Sequence, residues 1–193
     1  MAGQLPPFKR YITAHDPETG KAIYSTALDT VVEADTTLPT VKLYNCFTTS
    51  NFPVDTAADA DIDAYRPNVP FMRSLDVPNG TVCRIVDFAP DGPAVMHRTV
   101  TIDFGIVLEG KLEVQLDSGE TRLMGRGDVI VQRGTMHAWK NLSKTESARA
   151  FFVLQPIKPI VAQGQALEAY FPVHELFADA NISEVNKTGI EKS

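Results

Sequence analysis

Two short stretches of the chain decide its fold: HRTVTID at residues 97–103 and GTMHAWKN at residues 134–141. Both contain β-forming residues, and together they carry two histidines, His97 and His137, and one carboxylate, Asp103. Their placement on separate predicted strands favours a small barrel that gathers the three side chains at its centre. Two histidines and one carboxylate can hold a divalent metal, or can move protons without one.

The region around these stretches alternates short apolar runs with turn residues, a pattern typical of a β-sandwich or barrel. At residues 116–120, an aspartate and a glycine between two such runs predict a hairpin. The predicted strands of this barrel core, which spans about residues 80–156, lie at residues 81–89, 101–109, 111–117, 120–124, 128–132, 136–141 and 148–155. Side chains alternate between the faces of a strand, so an inward Asp103 places Gly105 inward as well. The fold class is therefore all-β.

The segments on either side of the core give weaker patterns, and we expect one domain over residues 1–193. In the flanking region 1–79 the predicted strands lie at residues 8–15, 22–28 and 40–48. Residues 51–70 carry four aspartates and predict a solvated loop or short helix; a calcium loop or a lid over the barrel are alternatives. In the extension 157–193, apolar spacing predicts one short helix over residues 173–185.

The composition excludes several classes of partner. A net charge of −6 without a basic stripe argues against nucleic acid. No apolar run is long enough to cross a bilayer, and the first residues lack a secretory signal. We therefore expect a cytoplasmic protein with a small-molecule substrate, in which Cys46 and Cys83 are free thiols rather than a disulfide.

Both stretches resemble the motifs of the cupins, a family of small β-barrels. The first cupin motif has Gly, His-x-His, Glu and Gly, and the second has Gly, Pro-x-Gly, His and Asn. The matching positions here are Gly92, His97, Thr99, Asp103 and Gly110, and then Gly127, Gly134, His137 and Asn141. The resemblance implies a jelly-roll-like barrel with N-terminal strands and a short C-terminal helix. The chain departs from it at Thr99, which replaces a histidine, at Asp103, which replaces the glutamate, and in the missing proline.

One interpretation of the site is metal-dependent, because cupins usually bind a metal through three histidines and one glutamate. This chain keeps His97, Asp103 and His137, the two-histidine, one-carboxylate set typical of non-haem Fe(II). The same ligands would hold Zn, Mn or Ni as a Lewis acid. The protein would then be a cupin oxidoreductase or dioxygenase. Thr99 is a poor ligand for a transition metal, so the identity and presence of a metal stay open.

The other interpretation is acid–base chemistry without a metal. The chain is similar to small cupins encoded with polyketide-pathway enzymes, some of them dehydratases, at residues 97–99, 103–105 and 132–135. His97 or His137 would take a proton next to a carbonyl, while Asp103 orients the imidazole or protonates a leaving hydroxyl. We expect a lyase that dehydrates, decarboxylates or aromatises a small polyketide or organic acid. A ligand-binding cupin without catalysis is a third hypothesis.

Four further residues are candidates for substrate binding. Thr99 either packs or donates a hydrogen bond to the substrate, and an inward Gly105 leaves room in the barrel. Trp139 forms either core or a flat wall for a ring. Arg84 is an anion clamp if it points inward and a surface ion pair if it does not. By similarity to cupins, and because apolar outer faces need a partner, we expect a homodimer.

Overall fold

The computed structural model describes residues 5–38, 40–69 and 75–172. Within these ranges the chain folds mainly into antiparallel strands. In chain order the strands are β1 (Thr13–His15), β2 (Ala22–Tyr24), β3 (Val41–Thr48), β4 (Val82–Phe88), β5 (Thr101–Glu109), β6 (Lys111–Leu116), β7 (Thr121–Gly125), β8 (Val129–Arg133), β9 (His137–Asn141), β10 (Ala148–Pro156), β11 (Val161–Ala162) and β12 (Gln165–Ala166). A short helix, α1 (Ala60–Tyr65), lies between β3 and β4.

Two sheets form the body of the molecule. The larger has the strand order β3-β4-β10-β5-β8, and the smaller has the order β7-β6-β9. Every neighbouring pair in both is antiparallel. Apolar side chains from both sheets pack into one cluster, which includes Val86, Phe88, Val107 and Phe152 from the larger sheet and Leu112, Met124 and Trp139 from the smaller. The sheets thus share a core, and the predicted all-β, jelly-roll-like architecture is confirmed.

Strand β5 shows how the sequence points its polar residues inward. Thr101, Asp103, Gly105 and Val107 are buried, whereas Phe104 between them is exposed. This alternation has the period of two that a strand imposes. The predicted inward orientation of Asp103 and Gly105 is therefore confirmed.

The role predicted for Gly105 in making room for substrate is wrong. A Cβ atom added at this position would lie 3.0 Å from Cγ2 of Ile130 and 3.0 Å from Cε1 of Phe152. The neighbouring strands β8 and β10 thus fill the space that the missing side chain leaves. Gly105 permits close packing of the sheet rather than an opening.

The flanking strands are shorter than the sequence predicts. Strands were expected over residues 8–15 and 22–28, but β1 and β2 pair over three residues each and only with each other in the described ranges. Their side chains are mostly exposed, so no apolar layer extends the pairing. The helix predicted over residues 173–185 lies outside the described residues. No helix within those residues is long and apolar enough to cross a membrane.

Helix α1 belongs to the acidic segment and packs on the outside of β3. Its Ile62 and Tyr65 are buried, and the Tyr65 ring stacks on Phe47 with a centroid distance of 4.8 Å. The Tyr65 hydroxyl donates a 2.5 Å hydrogen bond to the carbonyl of Asn45. The buried side chains of Ile62 and Tyr65 therefore stabilise a short helix in part of this segment, which was one of its two predicted forms.

Candidate functional site

An isolated antiparallel bridge brings His97 and His137 together. The backbone N–H of each residue donates to the carbonyl of the other, with both N–O distances at 2.9 Å. The imidazole centroids lie 4.4 Å apart. Because backbone hydrogen bonds fix this pairing, the two rings are held side by side by the fold itself.

The two imidazoles make the same kind of hydrogen bond, from Nδ1 to a backbone carbonyl. Nδ1 of His97 lies 2.9 Å from the carbonyl oxygen of Val95, and Nδ1 of His137 lies 2.8 Å from that of Thr135. A carbonyl oxygen only accepts, so each Nδ1 carries the hydrogen and donates it. Each neutral ring therefore has an unprotonated Nε2, which can accept a proton or bind a metal.

Burial keeps this pair uncharged at neutral pH. The pKa of His137 is lowered to about 4, mainly because its ring is buried and also because His97 lies beside it. The pKa of His97 is lowered as well, by burial and by the nearby positive charge of Arg84. Two adjacent imidazoles in an apolar setting do not both accept protons readily.

Asp103 ends a short chain of hydroxyl groups. Oγ1 of Thr101 lies 2.5 Å from Oδ1 of Asp103 and 2.6 Å from Oγ1 of Thr99. A hydroxyl carries one proton, so when Thr101 donates to the carboxylate it accepts from Thr99. Burial raises the pKa of Asp103 to about 6, against the lowering effect of Thr101 and of Arg84. Asp103 therefore takes up a proton at mildly acidic pH.

Arg84 points inward from β4, and its side chain is only 7% exposed. Its Nη2 donates a 2.6 Å hydrogen bond to the carbonyl of Leu75. Burial lowers its pKa to about 10, and the negative charges of Asp103 and Asp76 oppose this shift. Arg84 thus stays charged at neutral pH, and the negative charges of Asp103 and Asp76 partly offset the effect of its burial.

These polar groups line one cavity of about 130 Å³. This volume is close to the roughly 150 Å³ of an apolar cavity that binds benzene, so the space suits a compound of about one small ring. The rest of its wall is largely apolar and includes Phe88, Trp139 and Phe152. The rings of Trp139 and Phe152 meet edge to face at 5.1 Å. Trp139 is thus both core and cavity wall, the two roles between which its sequence position left a choice.

The structure gathers nearly all of the predicted site residues around this cavity. Those that line it are Arg84, His97, Thr99, Asp103, His137 and Trp139. Gly105 is not among them, for the packing reason given above. The described part of the acidic segment, residues 51–69, contributes no residue to the lining of this cavity.

Gln132 is a cavity residue that the sequence reasoning missed. It lies on β8 directly opposite Asp103 in the strand register, is 3% exposed and lines the cavity. The alternation of side chains along the strand could have predicted this position, because Ile130 and Gln132 lie on the same face of β8. A polar residue near the end of an apolar run is ordinarily expected to face solvent, and for this reason the inward position of Gln132 was not predicted.

The metal hypothesis requires three converging ligands, and the described residues do not supply them. No group of three His, Cys, Asp or Glu side chains in these ranges is placed to hold a metal ion. Asp103 is held instead by the hydroxyl of Thr101. The Nε2 atoms of His97 and His137 are free for coordination, but the predicted set of two histidines and Asp103 does not fit a three-ligand centre.

Comparison with known proteins agrees with this architecture. Residues 84–154 match the cupin domain family model. Oryzines biosynthesis cluster protein J of Aspergillus oryzae is 42% identical over 84% of this chain and 90% of its own length. Phomopsin biosynthesis cluster protein D of Diaporthe leptostromiformis is 39% identical over 82% of this chain and 83% of its own.

A third relative carries the family name itself. A cupin-domain-containing oxidoreductase of Neurospora crassa is 36% identical over 86% of this chain and 82% of its own length. These matches extend well beyond the barrel core, and they agree with the two motifs that the bridge between His97 and His137 brings together. The chain therefore belongs to the cupin family, and its relatives include proteins of secondary-metabolite biosynthesis clusters.

Proposed function

We propose that the protein is an enzyme of secondary metabolism that dehydrates a small carbonyl-bearing substrate or catalyses a related proton transfer. One observation carries this proposal. Two neutral imidazoles with free Nε2 atoms share a largely apolar cavity with a carboxyl group whose pKa is raised to about 6. Groups with pKa values pushed apart by their surroundings are the usual acid–base partners of a proton-transfer site.

The reaction divides between these partners. Nε2 of His137 takes a proton from the carbon next to the substrate carbonyl, and the carbon–carbon double bond forms. Protonated Asp103 gives its proton to the hydroxyl on the neighbouring carbon, the carbon–oxygen bond breaks, and water leaves. His97 stabilises neutral His137 before the transfer by keeping its pKa low. Return of the proton from His137 to Asp103 restores the starting state.

Relatives support the setting of this chemistry. Two of them are named after oryzines and phomopsin biosynthesis clusters, which favours a tailoring step on a secondary metabolite. A relative named as an oxidoreductase favours a second candidate, a metal-dependent cupin oxidoreductase. The second candidate needs a metal ligand beyond the two histidines, and the described residues do not supply it as a converging third His, Cys, Asp or Glu.

The test is turnover of metabolites from a host strain that lacks this gene. Purified protein is added to an extract of that strain, and products are followed by mass spectrometry. We expect one compound to lose the mass of one water, and the His137→Ala variant to lose at least about a hundredfold in rate. Turnover that persists in His137→Ala contradicts the proposal. Oxygen uptake with stoichiometric iron favours the oxidoreductase, and binding without any mass change favours a ligand-binding cupin.

A further inference from the structure

The cavity contains a buried hydrogen-bond donor that the proposed reaction does not use. The side-chain amide of Gln132 is buried at the cavity wall. Its Oε1 accepts a 3.2 Å hydrogen bond from Nε1 of Trp139. An indole N–H can only donate, so the amide oxygen must face the tryptophan and the NH₂ group must face away from it. The orientation of the amide is therefore determined by its partner.

Nε2 of Gln132 has no hydrogen-bond acceptor among the described residues, although the atom is buried. Buried donors in native proteins are nearly always satisfied, because an unmet one costs free energy. A ligand oxygen in the cavity would supply the missing acceptor. The amide therefore has one group that bonds within the fold, to Trp139, and one donor that is available to a ligand.

We propose that Nε2 of Gln132 donates a hydrogen bond to the carbonyl oxygen of the ligand, and that the ligand is an uncharged ring compound. The inference rests on the proposed function for the identity of the site and names the substrate class that the site accepts. The aromatic and aliphatic part of the wall binds the ring, and the amide fixes which oxygen of the ligand enters first.

At neutral pH, where Asp103 is ionised, the charges around Gln132 select an uncharged oxygen over a carboxylate. Asp103 lies directly opposite Gln132 in the strand register and is ionised at neutral pH. Arg84 supplies positive charge, which the negative charges of Asp103 and Asp76 partly offset. A ligand carboxylate at Nε2 would therefore meet the negative charge of Asp103, while the charge of Arg84 is already partly offset.

Three fluorinated probes of similar size test both parts of the proposal at pH 7. They are 4-fluoroacetophenone, which has an uncharged carbonyl; 4-fluorobenzoate, which has a carboxylate; and 1-ethyl-4-fluorobenzene, which has no oxygen. Fluorine NMR titration gives the Kd of each. We expect the ketone to bind most tightly. Tighter binding of the benzoate would overturn the preference for an uncharged ligand and assign Arg84 as an anion clamp.

The Gln132→Met variant removes the amide and keeps the side-chain length. We expect the ketone to bind about fivefold more weakly, as for the loss of one hydrogen bond, and the hydrocarbon to bind unchanged. The ratio of the two affinities reports the hydrogen bond, since a merely structural loss weakens both probes. Gln155→Met, an exposed glutamine on β10, is the matched control and should leave the ratio unaltered. An unchanged ratio in Gln132→Met overturns the proposal.

Infrared spectroscopy of the wild-type protein gives an independent measurement should Gln132→Met fold poorly. The carbonyl stretch of bound 4-fluoroacetophenone should lie below that of the ketone in a hydrocarbon solvent, and an unshifted stretch contradicts the hydrogen bond. Neither experiment needs turnover. An inactive protein that shows the expected binding pattern contradicts the proposed reaction alone, and an active one with an unchanged affinity ratio contradicts the role of Gln132 alone.

Discussion

At neutral pH, the burial of Asp103 that suits catalysis lowers the stability of the folded protein. The carboxyl group is buried next to the hydroxyl of Thr101, and its pKa is raised from 3.8 to about 6. The folded state therefore binds a proton more tightly than the unfolded chain does. A raised carboxyl pKa contributes stability below the unfolded value of 3.8, and this contribution is lost as the pH rises through 6.

Replacing Asp103 by Asn should therefore stabilise the protein at neutral pH while it removes activity. The amide stays uncharged, and its oxygen still accepts from Thr101. From the pKa shift, we expect a gain of about 2 to 3 kcal/mol in the free energy of unfolding at pH 7. Urea denaturation measures this, and at about pH 4 the difference should nearly vanish because the native carboxyl is then protonated. Equal stabilities of the two proteins at pH 7 would contradict the buried-charge cost.

The same residues predict the pH dependence of turnover. His137 must be neutral, so kcat/KM should fall below about pH 4, and Asp103 must be protonated, so it should fall above about pH 6. The profile of the wild-type enzyme should be bell-shaped with its maximum near pH 5. In Asp103→Asn, any residual activity should lack the limb near pH 6. A rate that is flat from about pH 5 to pH 8 would remove Asp103 from the reaction.

At the scale of strands, alternation and turns made the core predictable. The strands from β4 to β10 begin and end within about two residues of their sequence-predicted bounds, and the inward direction of Asp103 followed from the period of two. Contacts between strands were not predictable. That Thr101 donates a hydrogen bond to Asp103, and that Gln132 lies opposite Asp103, depends on register and side-chain geometry.

Gly105 is the position where this limit has a measurable consequence. The sequence of β5 alone predicts free space at Gly105, but Ile130 of β8 and Phe152 of β10 fill that space. Gly105→Ala should destabilise the protein by about 1 to 3 kcal/mol, because the added methyl group overpacks the sheet. Chemical denaturation gives the value. The matched control is Gly125→Ala in β7, where a Cβ would meet only Oδ2 of Asp128 at 3.9 Å, and it should be close to neutral.

A stability loss in Gly125→Ala as large as in Gly105→Ala would show that glycine itself, rather than the packing around residue 105, is required. The opposite result, no loss in Gly105→Ala, would mean that Ile130 and Phe152 can move aside. In that case the side chains around residue 105 would be able to shift far enough to accept a methyl group, despite the 3.0 Å contacts.

At the scale of the whole molecule, the β8 edge of the larger sheet carries exposed apolar side chains. Strand β8 is at the end of the larger sheet, so one of its edges has no neighbour in that sheet. Val129 and Val131 on this strand are 61% and 49% exposed, and Phe104 lies opposite Val131 in the register and is 39% exposed. An apolar patch on an edge strand is a surface that soluble proteins usually cover.

We expect a second copy of the chain to cover this patch, which gives a homodimer. Light scattering should return the mass of two chains, and Val131→Lys should shift it toward one chain, because a buried lysine without a partner opposes association. Val161→Lys, at an exposed valine on β11, is the control that should stay dimeric. A monomer mass for the wild-type protein would contradict the homodimer. A dimer that survives Val131→Lys would place the interface on another face, and the exposure of the β8 valines would then need a different partner.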